Sequence, residues 1–254
     1  MKSPIVAGNW KMHMTHIEGQ EFIKQILNLT LDIATVKVIF CPPFSALFHS
    51  IAILENSDAS VGAQNCHWEK EGAFTGEISV RMLNELGVQY VIIGHSERRH
   101  VFNESDEWIN NKIHAAVEYR IKPIFCIGET MQNRENGLTD IVLSKQLERG
   151  LVGVADFRKL VIAYEPVWAI GTGKVATGAQ IENAHASIRN WLKMNHGKDI
   201  SEKMMILYGG SVNSKNAKEL IELKGVDGFL IGGASLQIEN FTEIIHVVEQ
   251  FYRG

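Results

Sequence analysis

The chain has 254 residues with 25 Lys and Arg against 29 Asp and Glu, a formal net charge of −4, and 45% hydrophobic residues. A disordered chain would need fewer apolar residues, and a nucleic-acid-binding module would need a basic excess, so both classes are disfavoured. Since no apolar stretch approaches the ~20 residues that cross a bilayer and no secretion signal precedes the polar residues, we expect a cytoplasmic protein without a membrane partner.

Eight short runs rich in β-branched residues predict β-strands. Most are continuously apolar rather than alternating, which is typical of parallel strands that are covered by helices on both faces. In chain order the runs are Pro4–Gly8, Val36–Cys41, Ser60–Ala63, Tyr90–Gly94, Pro123–Gly128, Leu160–Tyr164, Met205–Gly209 and Gly228–Gly232.

Segments between these runs carry apolar residues three and four positions apart, a spacing that predicts amphipathic helices. These segments are Glu18–Leu29, Asp106–Tyr119, Ile141–Leu151, Ile181–Met194, Ala217–Leu223 and Thr242–Phe251. A βα unit repeated eight times is the (β/α)8 barrel, for which about 250 residues is typical. We therefore predict an α/β protein that forms a single-domain (β/α)8 barrel over residues 1–254, with an open doubly wound sheet as the alternative.

Polar or turn-forming residues stand where the predicted strands end, which is where barrel enzymes place their active sites. They include Asn9, Lys11, Asn65, His95, Glu129, Glu165, Gly209, Ser211, Gly232 and Gly233. Asn9 and Lys11 lie two positions apart, so in an extended segment they face the same side. A lysine at a barrel mouth needs an anionic partner, whereas an ordinary surface lysine is a solvated charge.

His95 and Glu165 follow the fourth and sixth predicted strands. If a helix begins at Ser96 or Glu97, its positive end favours the neutral imidazole of His95, which can donate a hydrogen bond to a carbonyl. The alternative for His95 is a structural capping residue. A glutamate directly after five apolar residues is costly to bury unless it is paired or used in chemistry.

The segment 166–174 is apolar at its start and glycine-bearing at its end, and we expect it to be a mobile lid over the site. Its residues are Pro166, Val167, Trp168, Ala169, Ile170, Gly171, Thr172, Gly173 and Lys174. Proline and glycines suit a rigid tip on two hinges, while an ordinary surface loop is the alternative. The G-x-G-x-x-A spacing over 171–176 is no dinucleotide motif, because it follows the sixth strand and no acidic residue stands about twenty positions later.

Paired glycines after the seventh and eighth strands predict a phosphate site, because backbone N–H groups in those two loops of a barrel bind phosphate. Glycines that only form turns are the alternative. No metal site is expected, since the ten histidines and three cysteines lack HxH, HExxH and CxxC spacings. We expect Cys41, Cys66 and Cys126, each in or beside an apolar run, to be buried free thiols.

Five motifs in order along the chain resemble the triosephosphate isomerase family: GNWKM at 8–12, GHSERR at 94–99, AYEPVWAIGTGK at 163–174, YGGSV at 208–212 and IGGAS at 231–235. The resemblance implies interconversion of dihydroxyacetone phosphate and D-glyceraldehyde 3-phosphate through an enediol, in glycolysis and gluconeogenesis and without a cofactor.

The resemblance also implies a role for each matching residue. Glu165 would be the base that removes the carbon-bound proton, and His95 would be the neutral electrophile. Asn9 and Lys11 would stabilise the developing oxyanion and hold the substrate, with Glu97 orienting the lysine. The phosphate would be bound by Gly171, Ser211, Gly232 and Gly233.

Residues 62–66 (GAQNC) and 72–77 (GAFTGE) resemble the family's dimer interface. They imply a homodimer in which Thr75 lies at the tip of a loop that enters the partner subunit, with Asn65 and Met14 at the same interface. Met14 stands where many relatives carry cysteine, and Val175 stands where threonine is common.

Two other classes of function keep the phosphate loops. One is another metal-free barrel enzyme that acts on a phosphorylated sugar or amine, and the other is a barrel that binds a phosphate ligand without turnover. Neither needs Lys11, His95 and Glu165 together.

Overall fold

The computed structural model describes residues 3–169 and 175–254, and within them eight parallel strands pair in chain order and close into a barrel. The barrel closes because the eighth strand pairs with the first, with Gly228 opposite Ile5. This confirms the predicted (β/α)8 barrel, and the open doubly wound sheet is wrong. The strands are β1 Ile5–Asn9, β2 Lys37–Cys41, β3 Ser60–Ala63, β4 Tyr90–Ile93, β5 Lys122–Ile127, β6 Val161–Tyr164, β7 Met205–Tyr208 and β8 Gly228–Ile231.

The strand ends differ from the predicted ends mainly at glycines. Gly94, Gly128, Gly209 and Gly232 were placed in strands but follow them. Gly94 has a φ of 75°, in the left-handed region that an extended strand does not use. Its turn directs the chain out of the barrel and sets the position of the residue that follows.

Eleven α-helices lie within the described ranges and surround the barrel. They are α1 His16–Leu29, α2 Phe44–Leu54, α3 Val80–Leu86, α4 Ser96–His100, α5 Asp106–Glu118, α6 Met131–Glu135, α7 Thr139–Leu151, α8 Gly178–His196, α9 Lys198–Lys203, α10 Ala217–Ile221 and α11 Ile238–Arg253.

Helix α1 illustrates how the local sequence sets an element. Thr15 and Glu18 form a reciprocal capping box at its start, and Phe22, Ile23 and Ile26 form the buried stripe. The helices over 44–54, 80–86, 131–135 and 198–203 were not predicted. The first is apolar on exposed as well as buried sides, and the others have five to seven residues, too few turns to establish a stripe.

The core has two concentric layers. One layer fills the barrel interior with side chains such as Ile39, Ile92, Ile124 and Leu207, and the other packs the outer strand faces against the helices. The three cysteines are free and buried as predicted. Burial raises the pKa of the Cys41 and Cys66 thiols to about 12. None of the helices in the described part of the chain has the length and apolar character that spanning a membrane requires.

Candidate active site

Four of the predicted site residues meet at the carboxyl end of the barrel. Asn9, Lys11, His95 and Glu165 line one cavity of about 250 Å³. The loops after β7 and β8 complete its wall with Gly209, Gly210, Ser211, Gly232 and Gly233. The parallel barrel brings these residues together because every strand delivers its last residue to the same edge.

The carboxylate of Glu165 is buried with only 3% of the residue exposed. Its Oε2 accepts a hydrogen bond from the backbone N–H of Ser96 at 3.1 Å, and its Oε1 lies 3.2 Å from Nε2 of His95. The backbone N–H of Glu165 donates to the carbonyl of Ile127 at 2.8 Å, which extends the β5–β6 pairing to this residue. The buried carboxylate therefore has a backbone N–H donor and lies directly against the imidazole in the cavity wall.

His95 is the N-cap of α4, which begins at Ser96. Its Nδ1 accepts a hydrogen bond from the backbone N–H of Glu97 at 3.2 Å. An accepting Nδ1 carries no proton, so the neutral ring holds its proton on Nε2, the atom that faces Glu165. The side chain can therefore donate a hydrogen bond into the cavity.

Lys11 occupies a strained backbone position with a φ of 54°. Its N–H donates to Oδ1 of Asn9 at 3.1 Å, and its carbonyl accepts from Nε2 of Gln64 at 2.8 Å. Its ammonium donates to Oε1 of Glu97 at 2.6 Å. These contacts place a half-buried cation at the cavity and include the Lys11–Glu97 contact that the resemblance implied.

The glycines after β7 and β8 allow the backbone to approach the site closely. A Cβ at Gly209 would lie 2.8 Å from Cγ of Glu165, so a larger residue would displace the carboxylate. Gly232 lies beside Lys11, whose Cε would be 3.5 Å from a Cβ at that position, and Gly233 begins a 3₁₀ turn. An anion at this position would meet the first N–H groups of the 3₁₀ turn, which have no partner within the turn, and also the ammonium of Lys11.

The first residues of the predicted lid form hydrogen bonds with Glu129. Val167–Ala169 forms a 3₁₀ turn after the buried Pro166, and Nε1 of Trp168 donates to Oε1 of Glu129 at 2.9 Å. Ile170, Gly171, Thr172, Gly173 and Lys174 lie outside the described residues, so the predicted phosphate contact of Gly171 stays a prediction.

Glu129 is the buried residue to which the sequence analysis gave no role. Its carboxylate accepts from the Tyr164 hydroxyl at 3.2 Å and from Arg134 at 2.8 Å, in addition to Trp168. Burial, and then the charge of Glu129, raise the pKa of Tyr164. The signal for Glu129 in the sequence is a glutamate two residues after β5, close to the position of Glu165, which directly follows β6.

The predicted interface residues lie beside the site. Asn65 lines a neighbouring cavity of about 400 Å³ that also contacts Lys11 and Glu97, and its Oδ1 accepts from Nζ of Lys112 at 2.9 Å. Thr75 is exposed in the loop 68–77, whose base is joined by a bridge between His67 and Ser79. Met14 is half-buried and packs against the core.

Comparison with known proteins gives one consistent result. Residues 4–248 match the family model described as triosephosphate isomerase. A protein of Carboxydothermus hydrogenoformans with that name is 50% identical over 96% of this chain and 98% of its own length. Proteins of the same name from Fusobacterium nucleatum and Dictyoglomus turgidum are 47% and 45% identical, each over 96% of this chain and 98% and 99% of their own lengths.

Proposed function

The chain belongs to the triosephosphate isomerase family, and we propose that it interconverts dihydroxyacetone phosphate and D-glyceraldehyde 3-phosphate through an enediolate. The observation that carries the proposal is the convergence of a carboxylate, an imidazole donor and an ammonium group in one cavity, beside two glycine loops. A barrel that only binds phosphate has no need for the first two groups.

Glu165 is the base in this proposal. A proton on the carbon next to a carbonyl is weakly acidic, so its removal requires that the enediolate be stabilised at the same time. Nε2 of His95, only 3.2 Å from the carboxylate, donates to the substrate oxygen while Glu165 takes the proton from the adjacent carbon. A positioned base contributes about 10²–10⁴ to the rate and a preorganised oxyanion donor about 10²–10³.

Lys11 supplies the positive charge for the developing oxyanion and for the phosphate. Its ammonium is held by Glu97 at 2.6 Å and its side chain lies against Gly232, so one cation serves both ends of a small substrate. Ser211, Gly232 and Gly233 bind the phosphate through the loops after β7 and β8, and Asn9 holds the substrate beside Lys11. Closure of the lid 166–174 over the cavity excludes water and protects the enediolate.

We further propose that residues 1–254 act as one catalytic domain in glycolysis and gluconeogenesis. We place it in the cytoplasm, where the reducing conditions suit the three buried free thiols.

We also propose a homodimer, supported by the apolar surface next to the site. Large side chains there are exposed: Met12 by 93%, Phe102 by 60%, Phe44 by 50% and Phe74 by 43%. Exposed apolar groups around an open cavity are typical of an interaction surface. In the dimer, the loop that carries Thr75 of the partner subunit enters the cavity lined by Asn65, with Met14 nearby.

A coupled assay tests the proposed reaction directly. Purified protein is given D-glyceraldehyde 3-phosphate, and dihydroxyacetone phosphate is measured through its reduction by a dehydrogenase. We expect rapid turnover that is unaffected by a metal chelator. Absence of turnover with retained binding of glycerol 3-phosphate would support the non-catalytic phosphate-binding barrel instead, and turnover of another phosphorylated sugar alone would support the other enzyme class.

A further inference from the structure

The amino ends of the strands surround a second cavity of about 490 Å³, at the opposite end of the barrel from the active site. The cavity is lined by the first residues of six strands, which are Ile5, Lys37, Tyr90, Lys122, Val161 and Met205. Cavities of about 300–1,000 Å³ with apolar walls are the usual size for small organic ligands. The proposed isomerase reaction uses none of these residues.

The rim of this cavity is strongly cationic. Five basic side chains line it against one acidic side chain, Asp199, among the described residues. The basic residues are Lys37, Lys122, Arg158, Lys159 and Lys203. Such a concentration is unexpected in a chain with a net charge of −4, and it creates a local positive potential that attracts anions.

Carboxylates neutralise only part of this charge. Lys203 pairs with Asp199 at 2.7 Å, and Arg158 pairs with Asp156 at 2.9 Å, with Lys159 3.8 Å from the same carboxyl group. Neither Lys37 nor Lys122 forms an ion pair with a carboxylate in residues 3–169 or 175–254. Two of the five cationic side chains at the rim are therefore left to attract an anion.

The surroundings of Lys37 and Lys122 provide hydrogen-bond and aromatic contacts rather than an ion pair. Nζ of Lys37 donates to the backbone carbonyl of Asp58 at 2.5 Å, and Nζ of Lys122 lies 5.4 Å from the centre of the Tyr90 ring. Burial lowers the pKa of Lys37, and repulsion from Lys122 adds to that effect against the attraction of Asp58. An anion bound between the two ammonium groups would offset this repulsion by attracting both.

The Tyr90 ring gives the cavity a buried aromatic surface. Only 5% of the residue is exposed, and its hydroxyl forms no hydrogen bond with another described residue. Its neighbours Ile5 and Val161 are buried aliphatic side chains. An apolar ligand body in contact with them would leave water, and the hydroxyl would still be available to a polar group of the ligand.

We propose that this cavity binds a small organic anion, whose aromatic or aliphatic body covers Tyr90, Ile5 and Val161 while its phosphate, sulfonate or carboxylate lies between Lys37 and Lys122. Each half of the site contributes separately. An inorganic anion lacks the apolar body, and a neutral aromatic molecule lacks the charge, so both bind more weakly than a molecule that combines them.

The probe for this site is 2-naphthalenesulfonate, added to the full chain with saturating glycerol 3-phosphate to occupy the active site. Methionine methyl groups labelled with ¹³C locate the probe, because an aromatic ring shifts the resonances of nearby methyl groups. We expect a shift at Met205, which lines the cavity, and none at Met12 beside the active site. Shifts at Met12 with none at Met205 would overturn the proposal.

Calorimetry on charge variants tests the cationic rim. The double variant Lys37→Glu/Lys122→Glu should lower the affinity for the probe at least about tenfold. Each lysine–anion contact raises the affinity by up to about fivefold, and the variant replaces both contacts by repulsion. The matched control is Lys145→Glu on the outer helix α7, which should bind as the unmodified protein does. Equal affinity in the double variant, or an equal loss in the control, would contradict the proposal.

Two further arms complete the test. Pyrophosphate and 2-naphthol should each bind at least about tenfold more weakly than 2-naphthalenesulfonate, and equal binding of either would contradict the combined site. If the double glutamate variant does not fold, Lys37→Gln/Lys122→Gln replaces it, with an expected loss of about fivefold and unchanged affinity as the contradicting result. Isomerase activity is no part of these measurements, so their failure leaves the proposed reaction untouched.

Discussion

At the scale of single residues, Lys11 lies where the proposed proton-transfer and phosphate-binding parts of the candidate site meet. Its backbone is strained at a φ of 54°, and contacts from Asn9 and Gln64 hold it there. Strain of this kind costs of order 1–3 kcal/mol and persists only where surrounding contacts impose it. The strained backbone conformation directs the Lys11 side chain into the cavity that His95 and the loop beginning at Gly232 also line.

The variant Lys11→Met removes the charge and keeps the length of the side chain. We expect kcat/KM to fall by about 10²–10³, as for the loss of one preorganised charge, together with weaker binding of glycerol 3-phosphate. Lys24→Met, on the exposed face of α1, is the matched control and should retain normal kinetics. Normal kcat/KM in the Lys11 variant would remove the lysine from the mechanism.

The meeting of Asn9, Lys11, His95 and Glu165 in one cavity was predictable, because each lies at or just beyond the end of an apolar strand. A barrel brings all of these strand ends to one edge. The network around Glu129 was not predictable, because its partners Tyr164, Arg134 and Trp168 come from different elements. The spacing of apolar residues within one segment gives no information about contacts between side chains of different segments. Only the folded geometry brings those four side chains together.

At the scale of elements, long helices were predictable from their buried stripes, while their starts depended on capping. Helix α8 begins at Gly178, ahead of the predicted Ile181, because Thr177 and Gln180 form a capping box. Its first turn is nearly all polar or small, so the apolar stripe begins later than the helix does. The short helix α3 was missed for a related reason, since seven residues carry only two buried positions.

The capping box predicts a measurable stability effect. Thr177→Ala removes the hydroxyl that accepts from the N–H of Gln180 at 3.3 Å, so the free energy of unfolding should fall by about 1 kcal/mol. Urea denaturation at fixed protein concentration measures this, because an oligomer's stability depends on concentration. Thr177→Ser keeps the hydroxyl and should lose far less; equal losses would assign the effect to the methyl group.

At the scale of the whole molecule, the barrel presents two different ends. The carboxyl end gathers Glu165, His95 and Lys11, whereas the amino end gathers uncompensated lysines such as Lys37 and Lys122. The net charge of −4 predicts neither cluster of charged residues, because it is a sum over the whole chain and says nothing about where the charges lie. The sequence pattern predicted the barrel, but the register between strands decides which charged residues meet at each end.

The proposed dimer makes a prediction about Thr75. The cavity that would receive this loop is lined by Lys11 and Arg98, each already paired with a carboxylate, so Thr75→Arg would bring in a long side chain whose charge must leave water. We expect the variant to sediment as a monomer at concentrations where the unmodified protein is a dimer. Thr75→Val is the neutral control and should remain dimeric, while a dimeric arginine variant would argue against the loop as the contact.

A buried histidine predicts how stability depends on pH. Burial lowers the pKa of His185 to about 4, and its Nδ1 donates to the carbonyl of Gly225 at 2.9 Å. Between its ordinary pKa and about 4, the unfolded chain binds a proton that the folded protein does not. Stability is therefore lost as pH falls through this window, by up to about 1.4 kcal/mol per pH unit from this group.

The variant His185→Gln isolates this contribution. Its free energy of unfolding should fall less steeply between pH 6.5 and 4 than that of the unmodified protein, even if the variant is less stable at neutral pH. The slopes are compared, so a uniform loss of stability does not affect the result. Parallel curves would show that His185 does not carry the effect.

The central claim is that the buried Glu165 removes a carbon-bound proton, and kcat of Glu165→Gln tests it most directly. The amide keeps the size of the side chain but cannot act as the base. We predict that kcat falls by more than about 10³ while the Kd of glycerol 3-phosphate changes little, since the lost group acts mainly in the transition state. Turnover close to that of the unmodified protein would contradict the account.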